Sequence, residues 1–160
     1  MKITHKIHKF LITSMFSLDH FVNEDVTAIT LKKSPFVLVE WRQFDGVCLV
    51  YKSGTVICHG FNVGEYYSHL LKIGYDLSPI TLVTQSAYHK LTDKVRYSTL
   101  VHELNCIYEP EIFHGATKYI DKLHFIIYHT GTLIITGLRC EADIDKAYDF
   151  ILQLELYNGI

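Results

Sequence analysis

The sequence has no excess of positive charge: 15 lysines and arginines stand against 17 aspartates and glutamates, for a formal net charge of −2. A protein held to nucleic acid by electrostatics alone is ordinarily basic, so any such reading has to rest on a local surface. No CxxC pair exists; Cys48, Cys58, Cys106 and Cys140 lie far apart, and Cys48 and Cys58 sit inside apolar runs. Buried free thiols in a reducing compartment are expected. Long apolar runs are also missing. In MKITHKIHKFLITSMF, residues 1–16, Lys and His interrupt every apolar stretch, so neither a signal peptide nor a membrane span is expected, and the protein reads as soluble and intracellular. Ten histidines come without HExxH, HxH or Cys/His spacing, which speaks against a metal site. His5 and His8, three apart on a strand-like run, point to opposite faces. There is no GxSxG, and Glu109 and Glu111 have no pocket to serve as a carboxylate pair. No enzymatic activity and no cofactor are expected.

What is present is apolar and repetitive. Of 160 residues 49% are hydrophobic, with 11 Tyr and 9 Phe, enough for a substantial core and far from the composition of a disordered chain. The hairpin-like stretch YKSGTVICHG, residues 51–60, returns as YHTGTLIITG at 128–137, an offset of 77. At the same offset Ile3-Thr4 meets Ile80-Thr81, Phe36 meets Phe113, Gly54-Thr55 meets Gly131-Thr132, Ile57 meets Ile134 and Gly60 meets Gly137, while Leu49, Val50 and Val56 meet Ile126, Ile127 and Leu133. One register held over this length implies two repeats, 1–77 and 78–160, building one domain.

Each repeat predicts the same elements. Strands are expected at 3–13 and 80–90, short helices opened by Ser17-Leu18-Asp19 and capped by Thr92-Asp93, then strands at 27–32, 36–43, 46–51 and 55–59 and at 104–108, 113–120, 122–128 and 132–136. Asp45-Gly46, Ser53-Gly54 and Thr130-Gly131 are hairpin turns. A helix closes each repeat, with an apolar stripe of Tyr66, Tyr67, Leu70, Leu71 and Ile73 in the first and of Ile144, Ala147, Tyr148, Ile151 and Leu152 in the second, and Gly74 ends the first. Two such halves would join into one curved antiparallel sheet, helices on one face and the other face open to a ligand or partner.

YEPEIFHG (108–115) followed by IIYHTGTLIITG (126–137) resembles the second repeat of the TATA-box-binding protein family, and LVYKSGTVICHG (49–60) resembles the matching hairpin of its first repeat. The resemblance covers nearly the whole chain. It implies an α+β, saddle-shaped fold of two pseudo-symmetric repeats, with helices on the convex face, and binding of A·T-rich DNA in the minor groove, which the family kinks by wedging aromatic pairs between base steps. The wedge positions fall on Phe36 with Tyr51 and on Phe113 with Tyr128; the family has phenylalanine at all four. The groove floor falls on Leu49, Ile57 and His59 in the first repeat and on Ile126, Ile134 and Thr136 in the second, an apolar surface suited to a groove without exocyclic amino groups. The family's central asparagine falls on Leu82 and on His5. Its lysine after the SG turn falls on Thr55 and Thr132. Fifteen residues separate the wedge positions in each repeat, about two fewer than in the family.

Phosphate contacts are expected from Arg42, Lys52, Lys118 and Arg139, with Lys32, Lys33 and Arg96 as further cations; the first repeat's helix contributes only His69 and Lys72, so counterion release should be modest. Tyr108, Glu109, Pro110, Glu111 and Ile112 match the stirrup that docks transcription factor IIB in the family, and acidic residues there suit a basic partner. The corresponding LKKSPF of the first repeat lacks the acidic pattern of the surface met by transcription factor IIA. The resemblance therefore implies a transcription initiation factor, a monomer on double-stranded promoter DNA, recruiting a factor-IIB-like protein and the RNA polymerase machinery. Dimerisation of the free protein stays open, and the location would be the nucleus or a site of viral transcription. The alternative is an interaction scaffold of the same fold with weak DNA binding or none of its own, favoured by Leu82, the missing lysines and the acidic balance. Drift and brevity of this kind are expected of an archaeal, protist or large-DNA-virus version.

Overall fold

The computed structural model describes residues 1–17, 27–30, 36–40, 46–60 and 62–158, with the backbone alone at 27–30 and 36–40. In chain order the elements are β1 (Lys2–Leu11), β2 (Thr27–Thr30), β3 (Phe36–Glu40), β4 (Gly46–Tyr51), β5 (Thr55–Gly60), α1 (Val63–Lys72), β6 (Thr81–Lys90), α2 (Tyr97–Leu104), β7 (Ala116–Ile120), β8 (Leu123–Ile127), β9 (Thr132–Leu138) and α3 (Glu141–Asn158). The chain divides into two compact units, one of His5–Val83 and one of Met1–Thr4 with Thr84–Ile160. The helix expected at Ser17-Leu18-Asp19, the Asp45 turn, Lys32, Lys33 and Arg42 lie outside the described residues.

In the His5–Val83 unit the strand order is β2-β3-β4-β5-β1, and the pairings are antiparallel. Strand alternation decides which residues become core. Cys48, Val50, Val56, Cys58, Phe10 and Ile12 point one way and are buried with Tyr66 and Leu70 of α1. Their neighbours Leu49 and Ile57, paired across β4 and β5, and Val47 and His59, paired likewise, turn the other way and are only half-buried. Gly54 closes the β4–β5 turn at φ +92°, and a Cβ there would stand 2.6 Å from the Ile12 carbonyl oxygen. Gly74 ends α1 as expected: at φ +101° it donates to the Leu71 carbonyl while Tyr75 donates to Leu70, the paired bonds of a Schellman motif.

In the second unit the order is β6-β9-β8-β7. Leu123, Phe125, Ile127, Leu133 and Ile135 face Leu100 and Leu104 of α2 and Ala147, Phe150, Ile151 and Leu154 of α3. The Phe125 and Phe150 rings meet edge to face, 4.6 Å apart.

Several expectations are corrected here. The 104–108 segment is the end of α2 and an isolated bridge from Ile107 to Thr117, because Asn105 takes a left-handed turn (φ 50°) that no strand accommodates. Thr92-Asp93 does not cap a helix. The Thr92 amide and hydroxyl both donate to the Glu155 carboxylate, and α2 starts four residues later behind Arg96. The helix stripes are rotated: Leu71, Ile73, Tyr148 and Leu152 are exposed, whereas Phe150 and Leu154 are buried. Cys140 is exposed, the other three cysteines buried. Cys48 and Cys58 face each other across β4 and β5 with sulfurs 3.0 Å apart, and that contact together with burial pushes the Cys48 thiol far up.

The repeat register also slips once. Lys9 pairs with Ile57, but the residue paired with Ile134 is Tyr88, so β6 is offset from β1 by 79 while the hairpins are offset by 77. A slip of two preserves which side chains face the core. It puts Thr84, not Leu82, at the position matching His5; Leu82 lies one step further along on the same face, partly exposed.

Candidate functional site

The second repeat's aromatic pair is built around a glycine. A Cβ on Gly115 would meet Phe113 Cε1 at 2.8 Å, Ile126 Cγ2 at 3.3 Å and Tyr128 Cε1 at 3.4 Å. Only a residue without a side chain lets the two rings close over this point, which is the physical content of F-x-G. The ring centroids of Phe113 and Tyr128 lie 6.1 Å apart at 62°, with the His114 ring 4.9 and 5.3 Å from them. Behind the pair, Ile126 faces Ile134 across β8 and β9, and Thr136 faces His124, all on the face away from the helices. Tyr119 continues that face, 62% exposed and stacked flat on His124 at 4.3 Å.

Tyr97, a residue with no sequence signal, holds this arrangement. From the first turn of α2 its hydroxyl donates to the His114 carbonyl at 2.7 Å and accepts from the His129 amide at 3.0 Å, so one phenol ties together the two segments that carry Phe113 and Tyr128. Its ring stacks on Tyr108 at 3.9 Å. Tyr108 opens the 108–112 loop, where the amides of Ile112 and Phe113 both donate to the Glu109 carbonyl at 2.9 Å. That tight turn pushes Glu109, Pro110 and Glu111 into solvent and leaves Ile112 80% exposed.

In the first repeat, Tyr51 pairs with Phe36 across β4 and β3, so the backbone brings both positions to one strand end; for Phe36 the backbone alone is described. Leu49, Ile57 and His59 share the face away from α1. His5 joins them: its Nε2 is 3.4 Å from His59 Nδ1. Burial, then His5 itself, holds His59 below the ordinary histidine range, and burial does the same to His124. Neutral imidazoles offer one donor and one acceptor each, able to meet base-edge acceptors. His8 goes to the core side, opposite Cys58, as its spacing from His5 requires.

Residues 81–154 match the family model described as Transcription factor TFIID (or TATA-binding protein, TBP). The chain is 26% identical to the TATA-box-binding protein of Tetrahymena thermophila over 141 residues, 79% of this chain and 57% of that one. It is 27% identical to TATA-box-binding protein 2 of Entamoeba histolytica (69% and 58% covered) and to TATA-box-binding protein 1 of Methanosarcina acetivorans (66% and 66%). The solved Methanococcus jannaschii TBP superposes with a TM-score of 0.80, covering 96% of this chain and 97% of that one at 22% identity, and so has the same fold. Residues 81–154 thus resemble that family in sequence, and the chain shares the fold of a solved TBP. It spans between about half and two thirds of the length of these sequence relatives.

The cations expected to meet phosphates do not all share the face of Ile126 and Ile134. Lys118 pairs with Phe125 and so projects to the helix-bearing face, where its ammonium approaches the Asn105 carbonyl at 3.4 Å behind α2. Alternation thus removes it from the face of Ile126 and Ile134. Lys52 is exposed in the first hairpin turn, and Arg139 is exposed just after β9, its amide donating to Asp143. Among the described residues no group of three or more His, Cys, Asp or Glu could hold a metal ion, and no helix is long and apolar enough to cross a membrane.

Proposed function

We propose that the protein is a TATA-binding-protein-like transcription initiation factor that binds A·T-rich duplex DNA in the minor groove and kinks it. In this reading Phe113 with Tyr128, and Phe36 with Tyr51, wedge between base steps; Leu49, Ile57, His59, Leu82, Ile126, Ile134 and Thr136 form the floor. The observation that carries the reading is the ring pair closed over Gly115 at the end of an isoleucine floor. Rigid apolar edges beside a flat apolar strip are what unstacking a base step requires. Each tyrosine hydroxyl would have to find a polar group on the duplex. Lys52 and Arg139 would meet phosphates. The 108–112 loop would dock a factor-IIB-like protein, with Ile112 inserted and Glu109 and Glu111 facing basic residues.

The test is a bending assay on a TATA-containing duplex labelled at both ends for energy transfer, at two salt concentrations. The wild type should bring the ends together, and Phe113→Ala should lower both the bend and the affinity, the latter by roughly tenfold or more, as for losing one base-stacking aromatic. A full bend in Phe113→Ala would remove that residue from the wedge.

A second reading, a scaffold that meets proteins but holds DNA weakly or not at all, is favoured by Lys118 facing the helices and by the formal charge of −2. In that case the same assay gives no salt-dependent binding by the wild type.

A further inference from the structure

We propose that Lys90 contacts a DNA phosphate at the second repeat, supplying from β6 a cation where Thr132 follows the hairpin turn; this rests on the DNA-binding reading above. Lys90 pairs directly with Thr132 across β6 and β9, two residues on from the pair Tyr88 and Ile134. Strand alternation therefore brings its side chain out on the face of Ile134 and Tyr128, away from the helices. The residue is exposed. Its ammonium leans over the turn that follows Tyr128, donating to the Thr130 carbonyl and lying 3.5 Å from the Thr132 hydroxyl. Both partners are neutral, so the positive charge is not cancelled, and an ammonium has a third N–H to give.

A cation in this place stands at the rim of the apolar floor, beside the ring pair, where the backbone of a duplex lying on that floor would run. Lys118 faces the helices. In the first repeat the residue opposite Thr55, at the register of Lys90, is Leu11, which carries no charge. Lys90 thus gives the second repeat's hairpin, whose turn has no lysine, a phosphate contact from β6, where the first repeat's hairpin carries Lys52 in its turn.

Phosphate contact has a signature that a structural lysine lacks: counterion release. The affinity of the full chain for a TATA-containing duplex and for a G·C-rich duplex of equal length would be measured across a range of salt for wild type, Lys90→Ala, Lys90→Arg and Lys146→Ala, the last on α3, with thermal melts confirming folding. If Lys90 meets a phosphate, the slope of log affinity against log salt falls by about 0.9 in Lys90→Ala, both duplexes lose affinity by a similar factor, and Lys90→Arg and Lys146→Ala keep the wild-type slope. A wild-type slope in Lys90→Ala overturns this assignment and leaves the DNA-binding reading standing. Absence of salt-dependent binding by the wild type overturns both.

Discussion

His8 illustrates how one side chain is placed by the alternation of its strand rather than by its own chemistry. It points to the core side opposite Cys58, and its Nδ1 is buried without a hydrogen-bond partner. Burial, and then Lys6, holds it below the ordinary histidine range; burial does the same to His59, His89 and His124. The folded state therefore resists protons that the unfolded chain accepts. Stability contributed by the neutral imidazoles is present above the unfolded pKa of about 6.5 and lost as the pH falls towards the lower folded values. Chemical denaturation between about pH 7 and pH 5 should show this loss. His8→Leu should raise stability at pH 7 by about 1 kcal/mol by removing an unsatisfied polar atom, and should flatten the acid limb. An unchanged slope would mean that His8 titrates alike in both states. At this scale the sequence is informative where side chains act singly: YEPE-I-F-x-G announces the aromatic pair and its glycine. It is silent about Tyr97 and Lys90, whose hydrogen bonds run to main-chain carbonyls and amides, and for Lys90 also to the Thr132 hydroxyl, 17 to 42 residues away, and leave no pattern in residue types.

Elements are legible in proportion to how local their determinants are. Both β-hairpins follow from their turn glycines. Gly131 sits at φ +84°, and a Cβ there would be 2.5 Å from the Asp93 carbonyl oxygen. Gly131→Ala should cost roughly 2 kcal/mol or more in thermal or denaturant melts, since both the dihedral and the contact oppose it. Gly64 lies inside α1, and a Cβ there would meet nothing within 4 Å. Gly64→Ala should instead stabilise by about 0.5–1 kcal/mol. Equal effects at the two sites would undo the argument. Helix faces are less legible. Apolar spacing alone selects Tyr148 and Leu152 for the core, but the direction in which α3 lies against β8 and β9 selects Phe150 and Leu154. The start of the second repeat's short helix is hard to read for a related reason: Thr92 resembles a cap while bonding to Glu155 on α3.

For the whole molecule, the duplication is visible because the hairpins keep one offset, and partly misleading because β6 slips by two against β1. Period-two alternation hides such a slip: every core residue remains a plausible core residue. The unit that holds Thr84–Ile160 also holds Met1–Thr4, and Met1 and Ile3 pack on its core. Ile3→Asp should therefore accelerate amide hydrogen exchange in β8, β9 and α3 and spare β4 and β5. Equal acceleration in β4 and β5 would contradict that membership. The same membership fixes an order of events during synthesis. Residues 5–83 leave the ribosome as an uninterrupted segment that carries its own buried cluster around Phe10, Val56 and Leu70. Residues 1–4 emerge ahead of them, yet must wait for residues 84–160 before they have a core to join, so residues translated early are among the last to be folded.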